Sequence, residues 1–212
     1  MPRIILLLCV ALLAVTSASA QDGPGCLDCH KAGADSPVHA VFSTVHGTLQ
    51  GGGAAACTAC HGASEAHDRR GKKAPPDISF GPRWPSDVAS RNASCQGCHE
   101  SGDPLLWAGS AHQQENLACS DCHRSHQPRA AAAGKSQSQD LCLDCHAQVR
   151  AELRLPSRHP IAEGKAACID CHNPHGGLGD AALRQPTLND NCFSCHQDKR
   201  GPFLWEHAPV RE

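Results

Sequence analysis

Seven pentapeptides of one form, Cys-x-x-Cys-His, run through the chain: CLDCH at Cys26, CTACH at Cys57, CQGCH at Cys95, CSDCH at Cys119, CLDCH at Cys142, CIDCH at Cys168 and CFSCH at Cys192. They use fourteen of the fifteen cysteines; the other, Cys9, lies in an apolar N-terminal run. With 15 histidines in 212 residues, a histidine after all seven pairs has a chance probability of roughly 10⁻⁸. The fifth position is therefore chemically required.

A disulfide framework asks for no such histidine. Structural zinc takes two pairs per tetrahedral site, which leaves one of seven unmatched. Covalent attachment of c-type haem accounts for all five positions. Thiols at i and i+3 share one helical face and can each bond a vinyl group on the same porphyrin edge, while the next residue turns its imidazole to the iron. Seven covalent haems c are expected. Their thioether cysteines are Cys26 and Cys29, Cys57 and Cys60, Cys95 and Cys98, Cys119 and Cys122, Cys142 and Cys145, Cys168 and Cys171, and Cys192 and Cys195. Their proximal iron ligands are His30, His61, His99, His123, His146, His172 and His196.

Composition supports an interior organised by haem. Tyrosine is absent, aromatics make up 3%, and there are 19 glycines and 15 prolines. Covalently attached apolar discs can organise a short, loop-rich chain that lacks a side-chain core. The expected fold is mainly α with much irregular structure, haem-directed, with little or no β-sheet. Leu141, Cys145, Val149 and Leu153 recur at i+4, which predicts a helix over 140–153; residues 191–199 read as another.

Residues 1–20 read as a secretory signal: Arg3, an apolar run from Ile4 to Val15, and Ala18-Ser19-Ala20 before the cut. The run is about a dozen residues where a membrane span needs roughly twenty. No other segment reads as a span, and export to the periplasm is expected.

Eight histidines remain for the second axial positions: His39, His46, His67, His112, His126, His159, His175 and His207. The single methionine is Met1, so His/Met ligation of the high-potential kind is excluded for the exported chain. Motifs at Cys57, Cys119 and Cys168 are flanked by histidines on both sides, by His46 and His67, His112 and His126, and His159 and His175. Those at Cys26, Cys95, Cys142 and Cys192 are plain. The alternation is a repeat of two haems and two distal histidines. The units are 21–70, 92–129, 139–178 and an incomplete 179–212 with one haem. A Pro-rich connection at 71–91 and an Ala/Ser-rich linker at 130–138 join them, and neither need be ordered. His126 and His175 stand three residues after a proximal histidine, too short a tether to reach the opposite face of the same ring. Each is expected to serve a neighbouring haem.

A histidine for every sixth position points to electron transfer through low-spin, lower-potential haems rather than to catalysis. The opposing class, a multihaem reductase, would keep one open haem; a soluble periplasmic shuttle to a terminal reductase is a third reading. A haem sensor would need a signalling domain. The formal charge of -2 and the lack of a basic block give no footprint for nucleic acid. Arg69, Arg70, Lys72 and Lys73 form the densest basic run, read as a solvated loop.

The stretches PVHAVFSTVHG, CTACHGASEAH, GSAHQQENLACSDCHRSH, LCLDCHAQVRAELRLPSRHPIAEGKAACIDCHNPHGG and NCFSCHQDKRGPFLWEHAPVRE resemble successive segments of the periplasmic decahaem cytochromes of the MtrA, PioA and DmsE type. The resemblance implies an electron conduit held in an outer-membrane β-barrel porin, exchanging electrons with extracellular or inner-membrane cytochromes. It also implies that His46 is a distal ligand and His39 the surplus one, leaving His46, His67, His112, His126, His159, His175 and His207 for seven haems. That family carries ten haems in five units. The spacing of the regular units places the next cysteine at 216 to 218, so His207 reads as a distal ligand of a half-finished fourth unit and Glu212 as an interruption.

Overall fold

The computed structural model describes residues 25–31, 38–49, 51–127 and 135–205. The signal segment, His207 and most of the 130–138 linker lie outside these. Among the described residues eleven short α-helices follow in order: α1 (Cys26–Cys29), α2 (Val45–Leu49), α3 (Gly53–His61), α4 (Glu65–Arg70), α5 (Val88–Gln96), α6 (Ala111–Gln114), α7 (Cys119–Cys122), α8 (Lys135–Leu143), α9 (Ala147–Glu152), α10 (Cys168–Cys171) and α11 (Leu188–Phe193). Single 3₁₀ turns and irregular chain join them. Among the described residues there is no strand, only isolated bridges of Leu183 with His172 and with Gly179. The fold is helical and irregular, as the composition predicts.

The haem motif itself sets the helix lengths. In six of the motifs the N–H of the final histidine donates to the carbonyl of the first cysteine at 2.8–3.0 Å, closing one helical turn. The chain then leaves the helix at that histidine: ψ is 63° at His30, 53° at His146 and His196, 124° at His123 and 145° at His172. The helix expected over 140–153 is accordingly two, α8 and α9, parted at His146. The one expected over 191–199 is α11 and a 3₁₀ turn (Gln197–Lys199), parted at His196. A side-chain periodicity cannot register that break, because it comes from turning the imidazole off the helix surface.

Helix starts are capped from the sequence. Asp87 accepts the Ser90 N–H at 2.8 Å at α5, Ser110 Oγ the Gln113 N–H at α6, and Thr187 Oγ1 the Asp190 N–H at α11. The aspartates inside CSDCH and CIDCH reach back to the preceding backbone, Asp121 to the Ala118 N–H at 2.8 Å and Asp170 to the Ala167 N–H at 2.9 Å. Ala118 and Ala167 are the two most buried residues described, at 1% and 2% exposure, and no large side chain is fully buried. The buried apolar residues are Val41, Trp107 and Leu143 with four alanines, and Asn92, Asn173 and Asn191 are buried among the polar ones. Asn92 on α5 accepts the Cys119 N–H at 2.8 Å and donates to the Leu117 carbonyl at 3.2 Å, fastening a plain motif to the flanked one that follows.

The 71–91 connection is built into the structure. Ser64 donates its N–H to Asp77 at 2.7 Å, Ile78 donates to the His61 carbonyl, and Ser79 and Ser86 bond each other. Ala74 and Ser79 are buried. Phe80 stands edge-on to His61 and Trp84 edge-on to His67.

Candidate haem-binding site

Six proximal histidines each face a histidine that follows or precedes a motif. Ring centroids are 6.2 Å apart for His30 and His67, 6.0 Å for His99 and His46, 6.3 Å for His61 and His126, 6.2 Å for His146 and His112, 5.8 Å for His123 and His175, and 6.2 Å for His196 and His159. Two imidazoles bound to one metal at about 2.0–2.1 Å each have centroids about 6 Å apart, because each centroid lies roughly 1 Å behind its ligating nitrogen. The spacing fits an iron between each pair. Among the described residues no group of three or more His, Cys, Asp or Glu gathers to hold a metal ion. A two-histidine set suits a metal that brings its own four equatorial donors, as haem iron does.

The second nitrogen of several rings is already engaged. The Nδ1 of His61 donates to the Ile78 carbonyl at 2.8 Å, His67 to Ala74 at 2.7 Å, His112 to Pro174 at 2.7 Å and His172 to Ala181 at 2.9 Å. A proton held on Nδ1 leaves Nε2 as the ligating nitrogen and fixes the ring's orientation. Burial, with the neighbouring His175, His99 and His46, holds the His123 ring below the ordinary imidazole range, favouring the neutral form that binds a metal. His39 stands apart: its Nε2 donates to the His30 carbonyl and its ring lies edge-on to Phe42. His207 lies outside the described residues.

The trailing segment of the third unit is locked into the second. The His175 ring lies within 9° of parallel to His123, and the Pro174 carbonyl holds His112. Gly176, at φ +127°, passes so close to the Leu106 carbonyl that a Cβ would come within 2.2 Å of it. Only glycine fits there.

Residues 57–145 match the model for cytochrome c-type protein NrfB-like, and residues 159–201 match the doubled CXXCH motif. The chain is 36% identical over 198 residues to the multiheme cytochrome MtrA of Shewanella baltica (strain OS185). It is a multihaem c-type cytochrome homologous to MtrA. The alignment takes in 92% of this chain and 58% of that relative, so the chain spans less than two thirds of the curated protein it matches.

Within this cytochrome each cysteine pair lies within electrostatic reach of the next in sequence order. Burial pushes the Cys57 thiol up, and Cys26 beside it pushes further. Burial raises Cys60, with Cys95 and Cys98 adding to it. Cys119 donates to Cys95, holding Cys95 down to about 6 and raising Cys119 far above the thiol range. Burial raises Cys122, with Asp121 and then Cys145 contributing. Cys142 is pushed up to about 11 by burial and by Cys168. Burial raises Cys171, with Asn191 opposing and Asp170, Cys192 and Cys195 contributing. First motif neighbours second, second neighbours third, and so on to the seventh.

Three sets of residues in this architecture were not singled out by sequence reasoning. The carbonyls of Ala74, Ile78, Pro174 and Ala181 leave no mark on side-chain identity. Asn92 reads as an ordinary polar helix residue. The aspartates had a signal, since CxDCH recurs at Asp28, Asp121, Asp144 and Asp170.

Proposed function

We propose that the chain conducts electrons along seven covalently attached haems c, as an exported component of extracellular or anaerobic respiratory electron transfer. Each haem would be held by the two thiols and the proximal histidine of one motif. A second histidine closes six of them: His67, His46, His126, His112, His175 and His159. Bis-histidine ligation supplies a low-spin iron that exchanges an electron without rebuilding its coordination, and it leaves a substrate no position to occupy. The protein contributes ring orientation through the Nδ1 anchors and a fixed succession of motifs.

The observation that carries this reading is the set of six facing histidine pairs, on motifs that neighbour one another in sequence order. Such a succession is a path for hopping from one end to the other. Resemblance to the decahaem cytochromes adds the partners: an outer-membrane β-barrel around the chain, with inner-membrane and extracellular cytochromes as donor and acceptor. No described helix is long and apolar enough to cross a membrane, and a barrel would supply the crossing.

The test is electron transfer across a vesicle membrane. The haem-loaded protein is reconstituted with an outer-membrane β-barrel porin of the kind that holds the decahaem cytochromes, with reduced methyl viologen inside and Fe(III) chelate outside. Oxidation of the viologen only when both proteins are present is expected. Multiple-turnover reduction of nitrite or hydroxylamine by the isolated cytochrome, with reduced methyl viologen as the electron donor, would overturn the carrier reading in favour of a reductase.

A further inference from the structure

The connection between the first and second units attends to two imidazoles at once. His67 Nδ1 donates to its Ala74 carbonyl at 2.7 Å, and His61 Nδ1 to its Ile78 carbonyl at 2.8 Å. Its Trp84 ring lies edge-on to His67 and its Phe80 ring edge-on to His61. The two imidazoles belong to different pairs, for His67 faces His30 and His61 faces His126.

Two clasps shape this connection. At the first, the Ser64 N–H donates to Asp77 Oδ2 at 2.7 Å, the Asp77 N–H donates to Ser64 Oγ at 3.0 Å, and Ser64 Oγ donates to the His61 carbonyl at 2.7 Å. Ser64 is buried and stands between α3, which ends on His61, and α4, which carries His67. Its φ of 51° lies in the left-handed region, which a serine keeps only where surrounding bonds hold it. The Asp77 carboxylate also packs on the Gly62 backbone, where a Cβ would come within 2.8 Å of Oδ2. At the second clasp, the Ser79 N–H donates to Ser86 Oγ at 2.9 Å and the Ser86 N–H to the Ser79 carbonyl at 3.0 Å. That closes the loop bearing Phe80 and Trp84.

Asp77 touches neither ring. It stands three residues after Ala74 and one before Ile78, so its bonds to Ser64 fix where both carbonyls lie. A carbonyl on Nδ1 sets the plane of an axial imidazole and makes it a stronger donor to the iron, which lowers the potential. We propose that Asp77, acting with Ser64 as one clasp, is a positioning residue for the axial ligands of two haems, the one closed by His67 and the one held by His61, and so sets the potentials of the first unit.

The inference rests on the haem reading above, and that reading is measured first. H67A and H126A should each turn one low-spin haem high-spin at an unchanged haem count; if neither does, the haem reading fails and the proposal with it. The resonance signals and the reductive-titration steps that these two variants alter identify the two haems. D77A should then shift both low-spin signals and raise both potentials, while the other haems keep theirs. D77N removes the charge but keeps an acceptor oxygen for the Ser64 N–H, so its signals should match the parent and its two potentials should lie below those of D77A. S64A keeps the carboxylate and should shift the same two signals, and D77A/S64A should shift them no further than D77A does. A lower Tm in D77A or S64A with every signal unchanged would overturn the proposal and leave the clasp merely structural. Shifts spread over all the haems, or equal shifts in D77N and D77A, would overturn it as well. Should D77A not fold, S64A decides by the same two signals.

Discussion

His61 and His126 face each other with ring centroids 6.3 Å apart and planes at 88°, although they belong to different two-haem units. Under the proposed ligation one iron between them would bind successive units, so that ligation and tertiary structure would be the same interaction. H126A should convert about one haem in seven to high-spin while the haem count stays unchanged. H39A should convert none, because the His39 ring is spent on the His30 carbonyl and Phe42. Magnetic circular dichroism of the oxidised variants reads both outcomes.

Asn92 makes the second joint. Its amide satisfies the Cys119 N–H and the Leu117 carbonyl from a site only 6% exposed. Removing it leaves two polar groups unpaired at a cost of about 1–3 kcal/mol each. N92A should lose about 2–4 kcal/mol in denaturant unfolding followed by haem absorbance. An unchanged midpoint would show that this joint carries no stability.

Gly176 limits how closely the third unit can sit on the second. Alanine there meets the Leu106 carbonyl and a backbone angle that side chains avoid. G176A should destabilise the protein by about 1–3 kcal/mol. It should also displace His175, changing the low-spin signal of the His123 haem. A G47A control, where a Cβ would meet the Val41 carbonyl at 2.2 Å, should disturb the His99 haem through His46 instead.

The cap of α5 gives a pH dependence with a definite sign. The Ser90 hydroxyl and N–H hold the Asp87 carboxyl below its usual range. A carboxylate with a depressed folded-state value contributes stability above its unfolded value, near 3.8, and loses it as pH falls through the lower folded value. D87S keeps a cap without the charge. Relative to D87S, the wild-type protein should therefore be more stable at pH 6 and lose that advantage toward pH 3, measured as the difference in Tm.

What the sequence made legible follows from the range of the chemistry. The haem-attachment motif is five consecutive residues, so the c-type character that the family matches also show could be read locally. The alternation of flanked and plain motifs also survived in one dimension, and it carried the expectation that His126 and His175 serve neighbouring haems; in the structure they face His61 and His123. Partner choice for the leading histidines did not survive, because forward reach from His46 to His99 depends on how units stack. The helix predicted over 140–153 failed at His146 for a related reason: apolar spacing reports a surface, whereas a ligand must leave that surface. The 71–91 connection reads as punctuation because four prolines and two glycines fall in it. Its function resides in backbone carbonyls and in Phe80 and Trp84, which pack against His61 and His67.

The ring planes offer a further check on the pairing. Near-parallel axial imidazoles separate the iron d orbitals more than near-perpendicular ones, so the two geometries give different low-spin resonance signals. The His123–His175 pair at 9° should give an ordinary rhombic signal, and the His61–His126 pair at 88° a strongly anisotropic one. H175A should remove the first and H126A the second. Loss of the same signal in both variants would contradict the assignment.

The most direct measurement is the iron positions in crystals of the haem-loaded protein, located by anomalous scattering at the iron edge. Seven irons should lie in a single file in sequence order, with one between His61 and His126 and one between His123 and His175. A branched arrangement, or an iron bound by His61 and a second histidine of its own unit, would contradict the account.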